Sequence, residues 1–389
     1  MSPEQSDDLF SNGYEYEYEY EYEYEYEYEH EYESNSSADT TIFLGTAADE
    51  NHNIRTEART TLLRKLHAVC GQESLPVPFW ACLQVCSISK LKFAIWLAAN
   101  WLDDFLAMAE IFRKLPCKWV QRSSIPPYIP YQTSKHAQSA PRERDLSRCV
   151  LTGAEHPINL VCIFPASAVA DLLNRSITDH GFWKLMYALW DPEIVKRWRN
   201  VIFPYPSNPT YAIINDPSFL LSLRDDLSIA WVSGLFDLRP VSVTEDKTQL
   251  EVEFHWLSHG DRDSSKFCAA TEIPFSTKGR KGSKEMTLTL TNERGEPFLV
   301  ASGHRFVLRT DDPVLRPLPS FELLDMQWYV NRIVAMAGTW ELCGALSGSE
   351  MDVQDVAEED TDCPGRLSWA VEKRVGALLS DPQDGEELD

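Results

Sequence analysis

Acidic side chains are concentrated at the two ends of this 389-residue chain, and this limits where a compact fold can form. Residues 1–52 carry sixteen Asp or Glu and no Lys or Arg, and residues 350–389 carry thirteen acidic against three basic side chains. The middle of the chain has thirty-three basic and thirty-one acidic side chains. Because uncompensated like charges oppose compaction, we expect disordered acidic termini at 1–53 and 346–389 around a folded middle segment.

The N-terminal segment also contains a repeat, in which Tyr and Glu alternate from Tyr14 to Glu33 with His30 as the single interruption. Alternation would place every Tyr on one face of an extended strand and every Glu on the other. Two interpretations are open. Composition favours a repeat-expansion product without a selected role, and the alternative is a tail that binds a basic partner.

The middle segment has the composition of a globular protein, since the chain is 43% hydrophobic. The nine cysteines of the whole chain are odd in number and irregularly spaced, which indicates an intracellular location, in nucleus or cytoplasm, where thiols stay reduced. One long apolar run, residues 93–112, is interrupted by Asp103, Asp104 and Glu110. Charges at mid-span are costly in lipid, so we expect a buried helix there and no membrane association.

Hydrophobic periodicity predicts an α+β protein. Residues 54–120 have helical spacing, with helices at Thr56–Cys70 and Ser89–Leu115, and a Pro/Ser-rich linker follows at 121–145. Residues 246–345 are strand-rich and close with a helix at Leu323–Ala337.

Within that strand-rich segment, residues 249–257 alternate polar and apolar side chains, which is typical of a half-buried strand. This pattern places His255 beside Glu251 and Glu253 on the solvent-facing side. A second strand pair is expected at 286–302, around a turn at Asn292–Gly295.

Residues 149–240 contain a series of short motifs in a characteristic order. They are Cys149-Val-Leu-Thr-Gly153, Leu160-Val-Cys-Ile-Phe-Pro165, Phe219-Leu-Leu-Ser-Leu223, Asp226-Leu-Ser228 and Gly234-Leu-Phe236. This order resembles the HNH endonuclease domain of filamentous-fungal proteins. The resemblance implies a ββα-metal (HNH-like) domain with a helical insertion over residues 146–245, which in active members binds a divalent metal such as Mg²⁺ and cleaves nucleic acid.

The resemblance also assigns catalytic positions, and this chain departs from the family at each of them. Members usually have His, Asn and His where this chain has Cys162, Phe219 and Ser228. A thiol in an apolar strand is a poor base near neutrality, a phenyl ring forms no hydrogen bond, and a hydroxyl is a weak neutral ligand for a divalent ion. We therefore expect a catalytically degenerate member without a cofactor. Two further departures are Val232, where Asp is frequent, and Asp237, where Ala is usual.

Other residues could bind ligands, but each has a simpler structural explanation. A zinc site could use Cys149, His156 and Cys162, although cysteines on paired strands are more often buried apolar residues. Seven basic residues are weak candidates for phosphate contacts: Lys196, Arg197 and Arg199 on an insertion helix, and Lys278, Arg280, Lys281 and Lys284 in a loop. A solvated loop is the better explanation for the second group, and a solvated helix face with Trp198 turned inward explains the first equally well.

Three functional hypotheses follow from the sequence. The first is a degenerate HNH-like protein that still binds nucleic acid. The second is a DNA endonuclease that holds a divalent metal through replacement ligands. The third is a non-enzymatic protein whose acidic tails bind as yet unknown protein partners.

Overall fold

A computed structural model describes ten ranges of the chain. These are residues 56–71, 74–113, 115–120, 135–155, 157–164, 181–205, 216–257, 263–283, 286–292 and 294–338. The chain divides into two units, Met1–Ile42 and Phe43–Asp389, and every described residue lies in the second. The predictions about the acidic termini and the Tyr-Glu repeat therefore fall outside the described residues.

The described residues form a mixed α+β structure, as the sequence predicts. The helices are α1 (Glu57–Val69), α2 (Val77–Val85), α3 (Ile88–Asn100), α4 (Leu102–Arg113), α5 (Leu115–Val120), α6 (Lys135–Arg144), α7 (Gly181–Leu189), α8 (Pro192–Ile202), α9 (Asp225–Val232) and α10 (Phe321–Ala337). The strands are β1 (Leu75–Pro76), β2 (Ile158–Cys162), β3 (Leu220–Arg224), β4 (Phe236–Val243), β5 (Gln249–Trp256), β6 (Phe267–Cys268), β7 (Thr289–Thr291), β8 (Pro297–Leu299) and β9 (His304–Arg309).

Helices α1 to α5 occupy the segment with helical spacing. Thr56 caps α1 by accepting a hydrogen bond from the amide of Arg59. Where the sequence predicts one helix over Ser89–Leu115, the structure has two, α3 and α4. They separate at Trp101, which leaves the helical conformation with φ −145° and ψ 73°. None of the helices in the described ranges is both long and apolar enough to cross a bilayer.

The predicted linker at 121–145 is wrong over its second half, because α6 covers Lys135–Arg144. Arg144 explains the order of this segment. Its buried guanidinium pairs with Asp145 and donates hydrogen bonds to the carbonyls of Leu220 and Pro317. These bonds connect the end of α6 to β3 and to the segment before α10.

The largest sheet has the strand order β4-β5-β9, with both pairs antiparallel. β4 belongs to the segment predicted as nuclease-like, and β5 belongs to the predicted extension. A domain boundary at 245/246 would therefore divide a β-hairpin, so the structure does not support two separate domains at that point.

Burial of β5 also differs from the sequence prediction. From Val252 to Trp256 every residue is buried, so the strand is covered on both faces and is not half-buried. Helix α10 lies on the side of His255, where the imidazole is 4.5 Å from the Trp328 ring, centroid to centroid. Placing His255 on a solvent-facing side was wrong, because sequence alternation does not reveal that α10 packs there.

The closing elements agree with their sequence patterns. β7 and β8 form the expected strand pair around residues 292–296, with φ +80° at Gly295. The predicted helix at Leu323–Ala337 is found as α10. Ser320 caps its first turn, and Gly338 ends it in the left-handed conformation at φ +67°.

Candidate functional site

The motif positions lie on two paired strands and the helix that follows them. β2 pairs with β3 in antiparallel register, with Ile158 opposite Arg224 and Cys162 opposite Leu220. α9 begins at Asp225, directly after β3. It packs along β2, since Ser228 contacts Asn159 and Trp231 contacts Cys162. The local order is therefore strand, strand, helix, with a helical segment inserted between the two strands.

Cys162 ends β2 and is only partly accessible. Burial raises the pKa of its thiol to about 11, so the sulfur is protonated at neutral pH. Its backbone carbonyl accepts a hydrogen bond of 3.0 Å from the indole of Trp231. Cys162 is therefore held in place, but it supplies no base for the activation of water.

Phe219 lies in a 3-10 turn, Pro217–Phe219, directly before β3. Its ring is 4% exposed and belongs to the hydrophobic core. Its carbonyl accepts a hydrogen bond from the amide of Ile163 at 2.8 Å, which continues the β2–β3 pairing by one residue. The position next to Cys162 thus has a structural role and offers no polar side-chain atom.

Ser228 lies in the first turn of α9 and is 1% exposed. Its hydroxyl donates to the carbonyl of Asp225 at 2.6 Å and accepts from the amide of Asn159 at 3.0 Å. The hydroxyl is therefore engaged within the protein.

Asn159 is the residue that the sequence interpretation missed. Its side-chain amide donates both to Ser228 and, at 2.8 Å, to a carboxylate oxygen of Asp225. A polar residue within the apolar run 158–164 was the available signal. Asn159, Asp225 and Ser228 form a small polar cluster between β2 and the start of α9, which we call the Asn159 cluster.

The acidic pair at the start of α9 is mostly engaged in local contacts. Arg224 forms a two-point ion pair with Asp226, with N–O distances of 2.6 and 2.8 Å. Asp225 and Asp226 are exposed and lie in the first turn, where negative charge is favourable beside the helix N-terminus.

The structure describes two of the three residues of the zinc alternative, Cys149 and Cys162. Cys149 is 2% exposed and closes a turn, with its amide and carbonyl bonded to Ala154 and Gly153. His156 lies outside the described residues. Among the residues with described positions, no three His, Cys, Asp or Glu side chains form a group that could hold a metal ion.

The basic candidates are distributed over two surface regions. Lys196 and Arg197 are exposed on α8, whereas Arg199 is half-buried. Trp198 points inward, as expected, and donates to Asp325 at 2.9 Å.

In the loop, Lys278 and Lys281 are exposed. Arg280 is half-buried and donates to the carbonyl of Gly282 at 2.9 Å. Lys284 lies outside the described residues. Four of the seven candidates, namely Lys196, Arg197, Lys278 and Lys281, are therefore exposed enough to contact a large ligand.

A second group of charged residues, not anticipated as a group from the sequence, lies between the β4-β5-β9 sheet and α10. The Glu253 carboxylate is fully buried and lies 2.8 Å from His255, 3.5 Å from Arg239 and 3.4 Å from Arg305. Burial pushes the pKa of Glu253 upward, but the His255 hydrogen bond and the neighbouring cations outweigh it and leave the pKa lowered. Arg332 of α10 covers the Trp328 ring at 4.5 Å. The ring contact between His255 and Trp328 joins this group to α10.

Comparisons with known proteins add no family assignment, because no family model, curated protein or solved structure matches this chain.

Proposed function

We propose that β2, β3 and α9 form an HNH-like unit that does not cleave phosphodiester bonds, in a protein that binds nucleic acid through exposed basic residues outside this unit. The observation that carries this proposal is the state of the three motif positions. Cys162 holds its proton, Phe219 belongs to the core, and the Ser228 hydroxyl is engaged with Asn159 and Asp225. The strand-strand-helix order supports the HNH-like interpretation, although this order also occurs without nuclease chemistry.

The chemical requirement explains why these positions matter. Metal-assisted hydrolysis of a phosphodiester needs a group that accepts a proton from water and ligands that hold the ion beside the phosphate. The thiol, the ring and the hydroxyl at Cys162, Phe219 and Ser228 meet neither need. What remains for function is the exposed basic surface of α8 and of the loop near Lys278.

Loss of cleavage is tested with supercoiled plasmid and the full chain in the presence of Mg²⁺, Mn²⁺ or Zn²⁺. We expect no nicking above a buffer control with any of the three ions. Nicking that copurifies with the protein and disappears in Asp225→Asn would overturn the proposal. That result would support an endonuclease with replacement ligands, since the Asn159 cluster brings polar side chains together beside the motif positions.

Nucleic-acid binding is tested separately with labelled duplex DNA at several salt concentrations. We expect affinity to fall as salt rises, because phosphate contacts release counterions. The double variant Lys196→Glu/Arg197→Glu and the double variant Lys278→Glu/Lys281→Glu each remove one exposed basic region. No binding by the unaltered chain to any nucleic acid would refute this part of the proposal and favour a protein-interaction role.

A further inference from the structure

Two half-exposed tryptophans lie at the junction of α3 and α4. Trp96 is 47% exposed and Trp101 is 48% exposed. The Trp96 ring stacks on Phe93 at 5.6 Å and meets Trp101 edge-on at 5.0 Å, with an interplanar angle of 84°. Exposed large aromatic groups in contact with one another mark interaction surfaces more often than single exposed residues do. We call Phe93, Trp96 and Trp101 the aromatic face.

The packing of α3 fixes the outward orientation of the aromatic face. Its opposite side is in the core, where Leu91 and Leu97 are fully buried and Ala94 and Ala98 are 4% exposed. The side-chain amide of Asn100 donates to the carbonyl of Trp96 at 2.7 Å and holds the end of the helix. Rotation of α3 to hide the rings would expose core residues, so the aromatic face is a fixed part of the fold.

A cation lies on the same side of α3 as the aromatic face. Lys92 is exposed and lies four residues before Trp96, which places both on the same side of α3. Arg64 and Lys65 are exposed on α1, and α1 packs against α3. Exposed acidic residues on α1 and the start of α4 are Glu57 and Asp103. Lys92 is thus the cation that the helix period places beside the Trp96 ring.

We propose that the aromatic face binds single-stranded nucleic acid. Unpaired bases stack on exposed aromatic rings, and Lys or Arg side chains beside the rings contact the phosphates. In a duplex the base faces are covered by their neighbours, so this surface selects single strands. The inference extends the proposed nucleic-acid binding by naming a surface and a strand state, and that surface is separate from α8 and the loop near Lys278.

The experiment uses the full chain and a labelled oligothymidylate of about 20 nucleotides, with binding followed by fluorescence anisotropy at low salt. We expect Trp96→Ala/Trp101→Ala to weaken binding roughly tenfold or more, since each lost stack removes a base contact. Trp96→Phe/Trp101→Phe should retain most of the affinity because a smaller ring still stacks. Lys92→Glu should weaken binding and flatten its salt dependence.

Phe275→Ala is the matched control, because Phe275 is a 60% exposed aromatic residue that belongs to neither α3 nor α4. Thermal unfolding of every variant verifies that the fold is intact. Unchanged oligothymidylate binding by the double alanine variant would overturn the proposal. So would a chain that binds no oligonucleotide but forms a dimer that the same variant abolishes, because the partner would then be a second copy.

The outcomes separate this inference from the broader function. Suppose that Lys196→Glu/Arg197→Glu abolishes duplex binding while Trp96→Ala/Trp101→Ala binds oligothymidylate as the unaltered chain does. The proposed nucleic-acid binding then stands, and the role of the aromatic face is refuted. If no nucleic acid of either kind binds, both are refuted.

Discussion

Asp237 allows the sharpest test of the interior, because a lone carboxylate is buried between β4 and α10. It is fully buried, and one of its oxygens accepts a hydrogen bond of 2.8 Å from the amide of Leu238. The Asn331 side chain also bonds to Asp237, and its amide oxygen Oδ1 accepts a hydrogen bond of 2.8 Å from the indole of Trp119. Burial raises the pKa of Asp237 to about 7, and the contacts with Leu238, Asn331 and Arg332 offset this only in part.

The direction of the pH effect follows from that shift. Between about pH 4 and pH 7 the folded protein holds a proton on Asp237 that the unfolded chain has lost, so stability falls as pH rises through this window. The pKa of Asp237 rises from an ordinary 3.8 to about 7. At 1.36 kcal/mol for each pKa unit, the free energy of unfolding falls by roughly 4 kcal/mol once the pH has passed through the whole window. Roughly half of this fall develops between pH 5.5 and pH 8.

The perturbation is Asp237→Asn, which keeps the shape and removes the titration. Urea unfolding of the variant and the unaltered chain at about pH 5.5 and pH 8 gives two differences in the free energy of unfolding. We expect the free energy of unfolding of Asp237→Asn, relative to that of the unaltered chain, to be about 2 kcal/mol higher at pH 8 than at pH 5.5.

Asp246→Asn is the control for this experiment. Hydrogen bonds from Thr244 and Thr248 lower the pKa of Asp246, so its charge is constant from pH 5.5 to 8. The effect of Asp246→Asn on the free energy of unfolding should therefore be the same at both pH values. An equal effect of Asp237→Asn at both pH values would refute the assignment of a buried, proton-holding carboxylate.

Two further substitutions test the contacts around α10. Glu253→Gln leaves His255 and Arg239 without their buried anion, so we expect a loss of about 3 kcal/mol in urea unfolding at pH 7. A loss below about 0.5 kcal/mol would show that the cluster behaves as a surface ion pair. Trp198→Phe removes the hydrogen bond to Asp325 and should cost about 1 kcal/mol in thermal unfolding. An unchanged midpoint would mean that this bond adds nothing to stability.

Local patterns were sufficient for much of the secondary structure. Helical spacing in residues 54–120, alternation in residues 249–257 and the apolar repeat of Leu323–Ala337 each correspond to elements of the expected type. These patterns arise from the periods of helix and strand, which short stretches of sequence carry by themselves. The break at Trp101 and helix α6 were not anticipated. In α6, Arg144 bonds to Leu220 and Pro317, which are distant in sequence.

For the candidate site, the order of motifs in the sequence drew attention to Cys162, Phe219 and Ser228. It gave no indication that Asn159 contacts Ser228 and Asp225, because that contact requires α9 to pack along β2. The pairing of two strands that are distant in sequence creates this neighbourhood.

In β5, the sequence determined one property of the strand and the tertiary structure determined another. Its alternating side chains were enough to determine that a strand forms and that Glu253 and His255 share a face. Only the tertiary structure decided that this face is buried, because α10, about seventy residues later, covers it. Alternation is a property of the backbone period, whereas burial depends on which distant surface packs against each side.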